Sequence, residues 1–199
     1  LVYRGVVYNE MKGAMSAPTS QLWQNLSSHL FPTTTYHYNS GGEPDHIVDL
    51  SYNDLVNFYK HHYHPSNAIF ATYGNIPARE HHEKFEELAL KRFDRLDIDL
   101  PVRDEKRLFS PVRVEQGYAV NEGEGTEKKT HMVMGWLLGH SFDFLENMEG
   151  QLLSAVLLEN SASPLMQALE TTDLGHAPSP MMGMEDSNRE MTFVCGIEG

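Results

Sequence analysis

The sequence predicts an α+β fold, with antiparallel sheets and helices packed on one face, and three observations point to it. Val112, Val114, Tyr118 and Val120 alternate with polar residues, turn through Asn121-Glu122-Gly123-Glu124-Gly125, and return over Thr130 to Leu138 as a second strand. Two helical patterns follow. The chain then closes on a strand over Met191 to Ile197, with a partner strand near Pro180 to Glu185. The order strand, strand, helices, strand, strand calls for antiparallel pairing. At 40% hydrophobic residues, with nine Phe, nine Tyr and two Trp, the chain supplies a core and is not globally disordered.

Taken from the start, residues from about Val6 to Leu30 read as two helices broken near Ser16-Ala17-Pro18. Pro18 suits the first turn of the second helix, where its missing N–H costs nothing. Phe31 to Asp49 holds Pro32, Gly41-Gly42 and Pro44 and reads as a loop. A helix begins at Ser51, with Asp54 completing a capping box and Leu55, Phe58, Tyr59 and His62 as its core stripe. Pro65 stops it, and Ala68 to Tyr73 reads as a strand bounded by Gly74-Asn75. Pro77 to about Leu96 reads as a helix with Phe85, Leu88, Ala89 and Phe93 inward and a Glu87–Lys91 pair on its outer face. Later, Ser141 to Leu158 carries Leu145, Met148, Leu152, Val156 and Leu157 on its inner face, and a shorter helix opens at Ser163-Pro164 and ends before Gly175.

A length of 199 residues allows one large domain or two modest ones. The stretch 99–111 has little apolar periodicity and a charge run at Arg103-Asp104-Glu105-Lys106-Arg107, so it is the linker expected between units 1–98 and 112–199. Residues 1–98 carry a net charge of −3 and residues 99–199 one of −10, which agrees with two units. The total of −13 repels phosphate backbones, so nucleic acid is not an expected partner. A single cysteine, Cys195, leaves no intrachain disulfide or thiolate cluster and fits a reducing compartment; its alternating surroundings place it in the core. No apolar run approaches the roughly 18 residues of a membrane span, so a soluble protein without a membrane partner is expected. The opening Leu1-Val2-Tyr3-Arg4 has no initiator Met and reads as a cut from something longer.

Self-contained catalytic motifs do not emerge. Gly123-Glu124-Gly125-Thr126-Glu127-Lys128 is only superficially similar to a phosphate loop and its carboxylates would repel phosphate, and Gly139-His140-Ser141-Phe142-Asp143 lacks the second glycine of a nucleophile elbow. Eight of eleven histidines precede residue 98, but no window has the order His-x-x-Glu-His. Adjacent His81 and His82 face different sides of a helix. His62 and His64 read as packed or capping residues, and a metal module built on His61, His62 and His64 is the alternative they leave open.

The run Gly5-Val6-Val7-Tyr8-Asn9-Glu10-Met11-Lys12-Gly13-Ala14 resembles the segment that follows the inverted zinc motif in the pitrilysin/insulinase family, in its presequence-protease-like branch. Leu30-Phe31-Pro32, Ser40-Gly41-Gly42-Glu43-Pro44, His62-Tyr63-His64-Pro65-Ser66-Asn67-Ala68 and Tyr73-Gly74-Asn75 match in the same order. Together they cover residues 3–75; beyond that the likeness lies in element order and in punctuation such as Leu174-Gly175.

The resemblance implies a mitochondrial-processing-peptidase-like metallohydrolase fold, with residues 1–98 the C-terminal half of a first family domain and 112–199 the N-terminal half of a second, non-catalytic one. It implies a zinc metalloendopeptidase that degrades unfolded peptides by attack of zinc-bound water, with Glu10 as the third protein ligand of one catalytic Zn²⁺. The two His ligands and the general-base Glu would come from upstream. The 199 residues therefore hold no catalytic residue of their own, and the fragment alone is expected to be inactive. Substrate-binding residues are not identified, Gly41-Gly42 being read first as a tight loop. A non-catalytic homologue acting as scaffold or partner subunit is the competing reading. The expected setting is the cytoplasm, or an organellar matrix in a eukaryote, with peptides and the rest of its own chain as partners.

Overall fold

The computed structural model describes residues 3–98 and 100–199; Leu1, Val2 and Asp99, the first residue of the expected linker, lie outside the described residues. The described residues up to Pro44 cluster with Val102–Gly199 as one compact unit, and those within Asp45–Pro101 form another. One crossing between units, at Pro101/Val102, falls inside the stretch expected to be a linker. The other, at Pro44/Asp45, falls inside the expected half-domain 1–98.

In the first unit, α1 (Val6–Ala14) and α2 (Pro18–Leu30) form as the sequence predicts, with Pro18 in the first turn of α2 and Ala17 extended before it. The sheet is antiparallel and centred on its last strand: β4 (Glu190–Glu198) pairs with β1 (His131–His140) on one side and with β2 (Ala177–Pro178) and β3 (Gly183–Glu185) on the other. The central position explains why β4 is buried almost throughout, Cys195 at 2% exposure included, and why burial pushes the Cys195 thiol up. Gly196 faces Val133, and a Cβ there would lie 2.8 Å from the Val133 Cα and run into the Met132 carbonyl. Gly196→Ala should therefore destabilise the protein by about 2 kcal/mol, read as a lower urea midpoint; an unchanged midpoint would mean that β1 can move aside. On β1, Gly135 leaves room for Leu26 and Leu30 of α2, which brings that helix onto the sheet.

Helix α6 (Phe144–Leu158) starts at Asp143, whose carboxylate accepts from the N–H groups of Leu145 and Glu146, and α7 (Pro164–Thr171) follows with Pro164 in its first turn. The expected inner face of α6 is not what packs. Leu145, Met148, Leu152 and Val156 are more than half exposed, whereas Gly150 lies against Met184 and Ser154 against Gly183. Small residues let the helix approach β3 closely, while the apolar stripe stays exposed.

The expected strand over Val112 to Val120 does not form: this segment is irregular, and β1 pairs with β4 instead. What remains is the acidic turn, closed by Glu124 N–H to the Asn121 carbonyl (3.1 Å) and by a Lys129–Glu124 ion pair, with Tyr118 donating to the Lys129 carbonyl. The second half of the expected linker is also ordered. Glu105 is 4% exposed and accepts from Thr33 N (2.8 Å), Thr33 Oγ1 (2.6 Å) and Thr34 N (3.1 Å). Its own N–H donates to the buried Glu190 (2.6 Å), which Arg107 neutralises at 2.9 Å. The charge run is thus a strap tying the end of α2 to β4.

In the second unit, after the short α3 (Pro44–Ile47), α4 (Tyr52–His62) has the predicted capping box, with Asp54 N–H donating to Ser51 Oγ (3.2 Å) and Ser51 N–H to the Asp54 carboxylate (3.0 Å). The Ser51 hydroxyl, which also donates to the Asp54 carboxylate (2.6 Å), and the Ser51 N–H hold the Asp54 carboxyl below the usual carboxylate range. Its expected core stripe is not buried: Leu55, Phe58 and Tyr59 are all more than half exposed. Ala68 to Tyr73 is not a strand, because no described segment pairs with it; Ile69 and Tyr73 are fully exposed. The last helix, α5 (Ala78–Leu88), is shorter than predicted: the backbone departs at Ala89 and a single 3-10 turn covers Leu90–Arg92. That break takes Lys91 off the helix, and the outer-face ion pair that forms is Arg79–Glu83 (2.8 Å). Phe85 packs on Phe70, but Leu88 and Phe93 stay exposed.

Candidate functional site

Glu10 occupies the middle of α1, is exposed, and its carboxylate makes no hydrogen bond or ion pair among the described residues. The end of its helix is held from three directions. Gln21 Nε2 donates to the Met15 carbonyl (2.9 Å), Asn39 Nδ2 donates to Met15 Sδ (3.2 Å), and Gly41 sits so close to Met11 that a Cβ would strike the thioether. Gly42, at φ +88°, takes a conformation that glycine adopts freely, and its N–H closes the turn on the Asn39 carbonyl (3.0 Å). The Gly41-Gly42 pair thus makes the tight loop expected of it, and the loop seats the helix that carries Glu10.

Beside that seat lies a cleft of about 600 Å³ between α1, α2 and the Pro180–Glu185 segment. Met11, Met15, Met181, Met182 and Met184 line it together with Trp23, and Glu185 is the charged residue of its wall. Sequence reasoning missed this cleft. Its signal was the run Pro180-Met181-Met182-Gly183-Met184, which served there only as a strand partner.

The histidines do not gather. His62 Nδ1 lies 3.0 Å from the Phe58 carbonyl and its ring stacks on Phe58, while His81 stacks on Phe85. His64 Nδ1 accepts from Ser66 N–H (3.1 Å) and caps the 3-10 turn at Pro65–Asn67, the capping role expected of it. Among the described residues, no three His, Cys, Asp or Glu side chains come together as a cation site. A carboxylate without a partner is the right kind of donor for Zn²⁺, but one donor does not hold a metal.

A family model described as the Peptidase M16 inactive domain matches residues 49–197. The chain belongs to the M16 peptidase family. The M16 match starts after Glu10, within the second structural unit, and runs across the strap to β4. Over its whole length the chain is also similar to full-length members. It is 37% identical over 204 residues to the mitochondrial presequence protease of Xenopus tropicalis and 36% over 204 residues to that of Mus musculus. It is 35% identical over 198 residues to protein HypA of Clostridium perfringens. In each case all of this chain is covered, and it spans about a fifth of the length of these M16 relatives. No described helix is long and apolar enough to cross a membrane.

Proposed function

We propose that these residues are part of a zinc-dependent metalloendopeptidase that degrades unfolded peptides, with Glu10 as a carboxylate ligand of its single catalytic zinc. The observation that carries this reading is the unengaged Glu10 carboxylate on α1, in a chain similar from end to end to proteins named presequence protease. Zinc, when bound, supplies a Lewis acid and a water acidic enough to act near neutral pH. Glu10 presents one anionic oxygen to it, and the seat formed by Gln21, Asn39 and Gly41 fixes the helix from which that oxygen is presented. The two His ligands and the general-base Glu belong to the rest of a longer chain, which also covers the apolar stripes of α4 and α6.

Peptides with basic residues suit a chain of net charge −13. In a eukaryote the setting is the mitochondrial matrix, in keeping with the names of the relatives, and otherwise the cytoplasm. A second reading, a family member acting as scaffold or partner subunit, is favoured by the matching model being described as an inactive domain. The two separate on one assay: the intact protein should cleave an unfolded peptide, lose that activity to a chelator and regain it with added zinc. An intact protein that binds peptide but never cleaves it is the scaffold.

A further inference from the structure

We propose that the methionine-lined cleft beside α1 is a peptide subsite that takes one large apolar side chain next to a basic residue. The proposal rests on the peptidase reading, since that reading supplies the peptide. Three features argue for this occupant. The cleft holds about 600 Å³, within the range of small-ligand sites, and five methionines and Trp23 line it, with Thr19, Ser20, Gln24 and Asn39 as neutral polar wall. Methionine chains are unbranched and polarisable, so such a pocket adapts to Leu, Met or Phe rather than selecting one shape.

Charge is the second feature. Among the described residues Glu185 is the charged one lining the cleft, no Lys or Arg lines it, and the Glu185 carboxylate accepts from the N–H of Ser187 (2.8 Å). One carboxylate at the edge of an apolar cavity complements a Lys or Arg beside the buried side chain, and repels an acidic one.

Position is the third. Met11 follows Glu10 directly and Ala14 lies one helical turn beyond it, so the cleft opens on the helix that carries the proposed ligand.

The test is equilibrium binding to the intact protein in chelator, which stops hydrolysis, read by fluorescence anisotropy. Three labelled peptides differ at two adjacent positions: Leu-Arg, Ala-Arg and Leu-Gln. The wild type should bind Leu-Arg about tenfold more tightly than Ala-Arg, and several-fold more tightly than Leu-Gln. Ser20→Trp, which fills the cleft from α2, should bring Leu-Arg and Ala-Arg within twofold, and the milder Met182→Ala should reduce the preference about threefold. Glu185→Gln should erase the preference for Arg and keep that for Leu.

A Leu preference that survives Ser20→Trp, or is absent in the wild type, overturns the proposal. Ser20→Trp protein that melts several degrees lower with the preference intact means that the rest of the chain fills the cleft, and a fall in oligomer mass in the same variant means that a second copy does; both overturn it. Hydrolysis with zinc restored is scored separately: a cleft preference without any cleavage would sink the peptidase reading while leaving the subsite standing.

Discussion

Glu10→Gln in the intact protein should lower kcat/KM for peptide hydrolysis by at least about a thousandfold. The amide keeps the size of the side chain and removes the negative charge that a carboxylate ligand contributes, and with it the polarised water that metal chemistry needs. Because Glu10 is exposed and has no partner among the described residues, the same change should leave the melting temperature of the metal-free protein unchanged. That contrast separates a functional carboxylate from a structural one. Activity within a few-fold of wild type would remove Glu10 from the site, and a large loss of metal-free stability would show that it holds the fold.

Glu105→Ala should be the most destabilising single change on the strap, at about 3 kcal/mol. It leaves the N–H groups of Thr33 and Thr34, in a part-buried turn, without their acceptor. Burial by itself raises the Glu105 carboxyl, but the hydrogen bonds from Thr33, Lys106 and Thr34 outweigh it and hold the group below the usual carboxylate range. A folded-state value below the unfolded one stabilises the fold fully above about pH 5, and this contribution is lost as the pH falls through the folded value. Urea unfolding of the wild type should therefore weaken from about pH 5 towards pH 3, with a shallower decline in Glu105→Gln. Equal slopes in the two proteins would place the acid sensitivity elsewhere. Asp104, whose carboxyl is held low by Arg189 (2.6 Å) and by His140 (3.1 Å), is the group to test next.

Features carried by local chemistry were legible in the sequence. The capping box of Ser51 and Asp54, the first-turn prolines at Pro18 and Pro164, and the burial of Cys195 all depend on residues within a turn or a strand of one another. Features that depend on what lies opposite were not. Alternation at Val112 to Val120 and the apolar run at Ala68 to Tyr73 report a segment able to sit in a sheet, but not whether a partner edge exists. The stripe of α6 was read by hydrophobicity, whereas the face that meets β3 carries Gly150 and Ser154, small residues that a hydrophobic pattern passes over. Glu105 was hidden in a charge run, because a carboxylate bound for two N–H donors and a hydroxyl in a distant loop looks the same in sequence as a solvated one. Glu10 was singled out only through the series of motifs around it; nothing in its own spacing distinguishes it from a surface carboxylate.

The most direct test of the central claim is metal content by elemental analysis of the intact protein, wild type beside Glu10→Gln, purified without chelator. The account predicts about one zinc per chain in the wild type and a small fraction of that in the variant. Equal zinc in both would contradict the assignment of Glu10, and no metal in either would contradict the metallopeptidase itself.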